Sequence, residues 1–298
     1  MAARRVCPSS HRSAWPPAVR LGLALVLLLA SAGASAQVFY SVESDDGRFG
    51  WLLGTLHTED PRVLDLPPVL EQALADAERV ALELVPDAEM LGALNRAMIL
   101  PREERLSGLL DESLYADVLA LLGPYGLRAS AVDRMRPWAV AMTLAQPPPE
   151  TGLFMDMMLA FRAARHGADV VALETLDEQL GFLTGLGRDA HVEMLTLAVA
   201  DMQSGRALFE SLVRTYLARD VERLRELTEL ELARMGPAIR ERFRREGIIE
   251  RNARMAERAA PLFDQGRTLV AVGALHLPGE AGLVARLRAM GYTVEPIY

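Results

Sequence analysis

The chain has 298 residues, 51% of them hydrophobic, and carries 40 acidic against 32 basic residues for a formal charge of −8. That is enough apolar material for one sizeable core, and the acidic balance argues against a nucleic-acid partner. Its basic residues are all arginine, which excludes Schiff-base chemistry and the phosphate-binding lysine of a P-loop, and its one cysteine, Cys7, stands near the amino end.

The amino end has the layout of a secretory signal peptide: Arg4, Arg5, Arg12 and Arg20, an apolar run from Leu21 to Ala30, then Ala34-Ser35-Ala36. An apolar core of about ten residues is half of what a bilayer-crossing helix needs, so cleavage between Ala36 and Gln37 is expected rather than anchoring. Charged residues interrupt every later hydrophobic segment. The expectation is a periplasmic or secreted protein with no membrane association after leader cleavage, with Cys7 removed, and with a net charge of about −12 once the leader arginines are gone. The remaining groups available for chemistry are His, Asp, Glu and Ser.

Short apolar runs bounded by turn residues predict strands at Val38–Val42, Phe49–Leu53, Arg79–Leu84, Val170–Leu173, Thr268–Val272 and Tyr292–Ile297. Between them, apolar residues at three- and four-residue spacing predict helices over Val69–Ala77, Leu114–Leu122, Trp138–Leu144, Phe154–Arg165 and Glu280–Met290. The alternation is that of an α/β domain over residues 37–298, a central mixed β-sheet flanked by helices. From about residue 189 to 264 the strand signals vanish, which predicts a helical insertion covering the sheet.

Two distant segments repeat one plan. Gly54-Thr55-Leu56-His57 and Gly273-Ala274-Leu275-His276 each follow an apolar strand, where a glycine permits a sharp turn and the histidine three residues on can project over the sheet edge. Val80-Ala81-Leu82-Glu83 and Val171-Ala172-Leu173-Glu174 likewise end apolar strands in a carboxylate. A buried strand end has no structural use for an unpaired carboxylate, so convergence of these four side chains is self-consistent. Imidazole and carboxylate together suit a divalent ion such as zinc, manganese, cobalt or iron, and a remaining glutamate could act as general base. Arg251-Asn252, on a helix leading into the second histidine strand, could bind substrate through a carboxylate or carbonyl. His166, before Gly167 at a helix end, and His191 read as capping or surface residues.

The motifs GTLH at Gly54–His57 and GALH at Gly273–His276 stand with Arg136-Pro137-Trp138, Leu173-Glu174-Thr175 with Gln179, Arg251-Asn252 and the closing LPGEAGLVARLRAMGYTVEPIY. In their joint order they resemble the TraB/GumN family over nearly the whole of 37–298. That family is related to the Tiki proteins, membrane-associated metal-dependent proteases, and more distantly to erythromycin-esterase-like and ChaN-like proteins. The resemblance implies an α/β fold with the centre at His57, His276 and Glu83, and with Glu174, Arg251 and Asn252 as further members. The resemblance supports the site more than the reaction; the leading reading is a metal-dependent hydrolase, possibly a peptidase, with a peptide or small-molecule substrate, in which His57, His276 and a glutamate, Glu83 by position, bind the metal and the other glutamate, Glu83 or Glu174, activates water. Neither an HExxH helix nor a Gly-x-Ser-x-Gly elbow is present. Two alternatives stay open: a metal-free esterase with histidine as general base, and a non-catalytic peptide-binding protein.

Overall fold

A computed structural model describes residues 37–298, and the leader reading and Cys7 lie outside the described residues. Each of the six expected strands is present: β1 Phe39–Glu43, β2 Phe49–Thr55, β3 Arg79–Leu82, β4 Asp169–Ala172, β5 Thr268–Gly273 and β6 Thr293–Pro296. They form one mixed sheet in the order β4-β3-β5-β2-β1-β6. Strands β4, β3, β5 and β2 are mutually parallel, and β1 pairs antiparallel with both β2 and β6. The β1–β2 hairpin turns through Gly47, whose φ of +78° lies in the left-handed region that glycine enters without steric cost.

Burial along the strands follows from this order. Every residue of β2 after Phe49, and all of β5 before Gly273, is buried, as expected for parallel strands covered on both faces. The outer strands β4 and β6 are largely exposed. Val80, Ala81, Leu82, Leu52, Leu53 and Leu269 through Val272 form the middle of the main core. Helices Pro68–Asp76, Met155–His166, Glu250–Phe263 and Leu283–Ala289 contribute the residues packed against it.

Helices stand where the periodicity puts them, with differences that have local causes. The last one begins at Leu283 rather than Glu280 because Leu277-Pro278-Gly279 turns first: Gly279 has φ +79°, and a Cβ on Gly282 would sit 2.2 Å from the Leu277 carbonyl oxygen. Helix Ala88–Met98 is an addition to the predicted helices: it carries Met90, Leu91, Leu94 and Met98 at helical spacing but has no fully buried residue. The helical packing also reaches beyond residues 189–264. A second core cluster joins Leu106, Val118, Leu122, Val132, Trp138 and Val140, from the β3–β4 connection, to Leu183, Leu195 and Ile239 from the β4–β5 connection. His191 is not a surface residue: it is buried in this region, its Nε2 2.8 Å from the Leu183 carbonyl oxygen.

Candidate functional site

Parallel strands that lie side by side deliver their carboxyl ends to one edge of the sheet, where open α/β sheets collect ligands. Here the four strands β4, β3, β5 and β2 are contiguous, so Glu174, Glu83, His276 and His57 leave the same edge in that order. Residue Thr55 pairs with Gly273, which sets the two Gly-x-x-His segments beside each other in register.

The glycines serve close approach rather than turning. Neither Gly54 nor Gly273 has a positive φ. A Cβ on Gly54 would lie 2.6 Å from Leu277 Cδ1 and 3.0 Å from Ala274 Cα, and one on Gly273 would lie 3.2 Å from Glu83 Oε1. Gly54 therefore makes room for the single 3-10 turn Ala274–His276 that carries the second histidine, while Gly273 lets the Glu83 carboxylate reach its backbone N–H at 2.6 Å.

Glu83 is the hub. Its Oε1 accepts the Gly273 N–H, and its Oε2 accepts from Arg251 Nη2 at 2.6 Å and Gln179 Nε2 at 2.7 Å. Burial opposes ionisation of this carboxylate, but where it titrates the charges of His276 and Arg251 and the Gly273 N–H outweigh burial and hold its pKa at about 2. Arg251, itself buried, also binds Glu174 Oε2 through Nε at 2.8 Å and Nη2 at 2.6 Å. One guanidinium thus serves two carboxylates. Glu174 is sealed behind it, its side chain without exposure and its Oε1 without a hydrogen-bond partner. Burial, only partly offset by Arg251, raises its pKa.

His276 is held by Asn252. Its Nδ1 lies 2.5 Å from Asn252 Oδ1, while Asn252 Nδ2 donates to the Ala281 carbonyl at 2.9 Å. With the amide nitrogen committed as donor, Oδ1 is the acceptor, so the imidazole proton sits on Nδ1 and the Nε2 lone pair is free. That nitrogen faces Glu83 Oε1 at 3.7 Å. Burial, with a smaller contribution from Arg251, outweighs Glu83 and lowers the His276 pKa to about 4, so the ring is neutral near pH 7. Two electron-rich atoms confront each other with no proton between them. Two metal–ligand bonds of about 2.1 Å span at most about 4.2 Å, so a separation of 3.7 Å is within the reach of two ligands to one ion.

His57 is placed differently. Its side chain is 62% exposed, with Nδ1 3.5 Å from Asp156 Oδ2 and the ring stacked on Phe154 at a centroid distance of 4.2 Å. It makes no ion pair with Glu83, and among the described residues no three His, Cys, Asp or Glu side chains converge in a metal-holding group. Of the residues picked from sequence, the structure therefore joins Glu83, Glu174, His276, Arg251 and Asn252 in one network, with His57 at the same sheet edge on other partners. Arg251 and Asn252 both point inward, their polar atoms spent on this network. Helix Glu250–Phe263, which carries them, continues directly from a seven-residue π-helical segment, Phe243–Ile249, a local irregularity that often accompanies functional positions.

Gln179, Asp156 and Phe154 take part in these contacts without having been assigned a role from sequence. Gln179 stands among the residues that carry the family resemblance, but its place just after the capping box of Thr175 and Glu178 suggests no role beyond helix initiation, and Asp156 looks like an ordinary first-turn acid of helix Met155–His166. A protein-family model described as the TraB/PrgY/gumN family matches residues 38–296. No curated protein and no solved structure matches the chain.

Proposed function

The chain belongs to the TraB/PrgY/gumN family, and from that premise we propose that it is a metal-dependent hydrolase of peptides, with its centre at the sheet edge formed by β3, β5 and β2. The observation that carries the reading is the opposition of His276 Nε2 and Glu83 Oε1 across 3.7 Å, with Nδ1 fixed by Asn252 and Oε2 fixed by Arg251 and Gln179. Such a pair is preorganised for a cation, because each ligand atom is aimed by a partner on its far side.

Glu83 and His276 would hold the divalent ion, and His57, at the same sheet edge but on Asp156 and Phe154 in this structure, would have to approach them to serve as a third ligand. When bound, the ion would supply Lewis-acid polarisation of the scissile carbonyl and lower the pKa of attacking water. Arg251 keeps Glu83 ionised and oriented. Glu174, closed off from solvent, is assigned to fixing Arg251 rather than to activating water, and Asn252 sets the His276 tautomer. Export through the amino-terminal leader fits a peptide substrate outside the cytoplasm.

A second reading is favoured by one contact. His57, exposed and beside the Asp156 carboxylate, has the arrangement of a metal-free general base oriented by a carboxylate. A screen of peptide and ester substrates with and without chelator separates the two. Turnover lost with chelator and restored by manganese, cobalt or zinc supports the metal reading; chelator-insensitive turnover abolished by His57→Ala supports the general base. Peptide bound tightly without turnover, and retained after His57→Ala, would replace both with a binding function.

A further inference from the structure

One set of contacts at the sheet edge lies outside the Glu83–His276 pair. Asp156 stands in the first turn of helix Met155–His166. Its Oδ1 accepts the Thr55 hydroxyl at 3.0 Å, and Thr55, the last residue of β2, is buried. Its Oδ2 lies 3.5 Å from His57 Nδ1, while Phe154, the residue just before the helix, lies nearly parallel to the imidazole, 9° between planes. The ring is thus contacted on one face and at its Nδ1 edge, and remains exposed elsewhere.

We infer that Asp156 is the positioning residue of His57: anchored by Thr55, its carboxylate accepts the Nδ1 proton, so that the neutral ring presents a bare Nε2 to the site. The inference rests on the reading above, in which His57 Nε2 is a working atom. The same plan holds His276, where Asn252 Oδ1 takes Nδ1 and leaves Nε2 free. The two Gly-x-x-His histidines are therefore each served by a side-chain oxygen from a helix, a carboxylate for one and an amide for the other. A carboxylate at Nδ1 makes Nε2 the more basic nitrogen and the better ligand. At 3.5 Å the contact is longer than a formed hydrogen bond, and a cation at Nε2 would make Nδ1–H a stronger donor toward the carboxylate. Phe154, stacked on the ring, restricts its rotation.

The test reads the tautomer directly. Imidazole 15N spectra of the metal-free protein, recorded where the ring signals report the neutral form, should show His57 with its proton on Nδ1. In Asp156→Asn the new amide can donate to Nδ1, so the population should move toward the Nε2–H form. Thr55→Val, which keeps the carboxylate but removes its anchor, should move it less in the same direction and serves if Asp156→Asn does not fold. Calorimetric titration with manganese chloride should show affinity weakened about 10–100-fold in Asp156→Asn. An Nε2–H tautomer in the wild type, or a tautomer unchanged by Asp156→Asn, overturns the assignment whatever the metal does. A shifted tautomer in a protein that binds no metal would sustain Asp156 as the positioning residue and remove the metal reading instead.

Discussion

Arg251 shows how much of this site depends on one side chain. It is 8% exposed and its Nη2 touches Glu83 and Glu174 at 2.6 Å each, so one positive charge neutralises two buried carboxylates in part. Removing it leaves Glu83 without an arginine and Glu174 with only Arg254, 3.7 Å from its Oε1, and an uncompensated buried charge costs about 3–5 kcal/mol. Arg251→Met should therefore lower the unfolding free energy by about that amount in urea titrations. Adding Glu174→Gln takes away one of the two orphaned charges, so the double variant should lose less than the sum of the single losses. Strict additivity would mean that Arg251 and Glu174 do not share the interaction described. A pattern of residues along the sequence could place Arg251 beside a second glutamate only by analogy, since its two partners stand 168 and 77 positions away.

At the scale of the element, the two Gly-x-x-His segments differ in what their glycines touch, and the difference is measurable. In Gly54→Ala the added methyl group meets a backbone Cα at 3.0 Å as well as Leu277 Cδ1 at 2.6 Å, so the turn carrying His276 must move; a loss of about 1–3 kcal/mol is expected from overpacking. In Gly273→Ala the nearest atom is Glu83 Oε1 at 3.2 Å, a side-chain atom able to give way. The stability loss should be smaller, but the Glu83–His276 spacing should change. Equal losses in thermal or urea unfolding for the two variants would contradict this account. The glycine positions were legible in the sequence, while their reason was not: motif spacing suggested a sharp turn, whereas the backbone takes ordinary φ values and uses the missing Cβ for packing. Strands were the most legible elements, because each is a short apolar run bounded by turn residues. Helix Ala88–Met98 carries Met90, Leu91, Leu94 and Met98 at helical spacing, so its pattern was present in the sequence although it buries no residue completely.

At the scale of the molecule, two hydrophobic clusters divide the work. The sheet cluster carries the site. The second cluster, formed by helices from two separate connections, includes Trp138, which is 2% exposed and whose Nε1 has no hydrogen-bond partner. Trp138→Phe removes that unsatisfied donor together with part of the ring, so it should cost less than about 1.5 kcal/mol, whereas Trp138→Ala should cost about 3–5 kcal/mol. Far-UV circular dichroism during urea unfolding checks both. A Phe variant as damaged as the Ala variant would show that Nε1 has a partner in solution. Whole-molecule organisation was partly legible: the class of fold followed from strand and helix alternation. The strand order β4-β3-β5-β2, which puts two glutamates and two histidines on one edge, depends on contacts between segments far apart in the chain, and local periodicity carries no record of them. For the same reason, His57 could be assigned to that edge from its motif while its pairing with Asp156 could not.

Whether Glu83 and His276 together hold a divalent ion is read from the metal content of the protein. Residues 37–298 would be purified, stripped, reloaded with manganese, cobalt, zinc or iron in turn, and analysed for bound metal beside His276→Ala, Glu83→Gln and His57→Ala. The wild type should hold about one ion per chain, with binding lost in His276→Ala and Glu83→Gln and weakened in His57→Ala. Stoichiometric metal that survives both His276→Ala and Glu83→Gln, or a wild-type protein that takes up none of the four metals, would contradict a shared ion site.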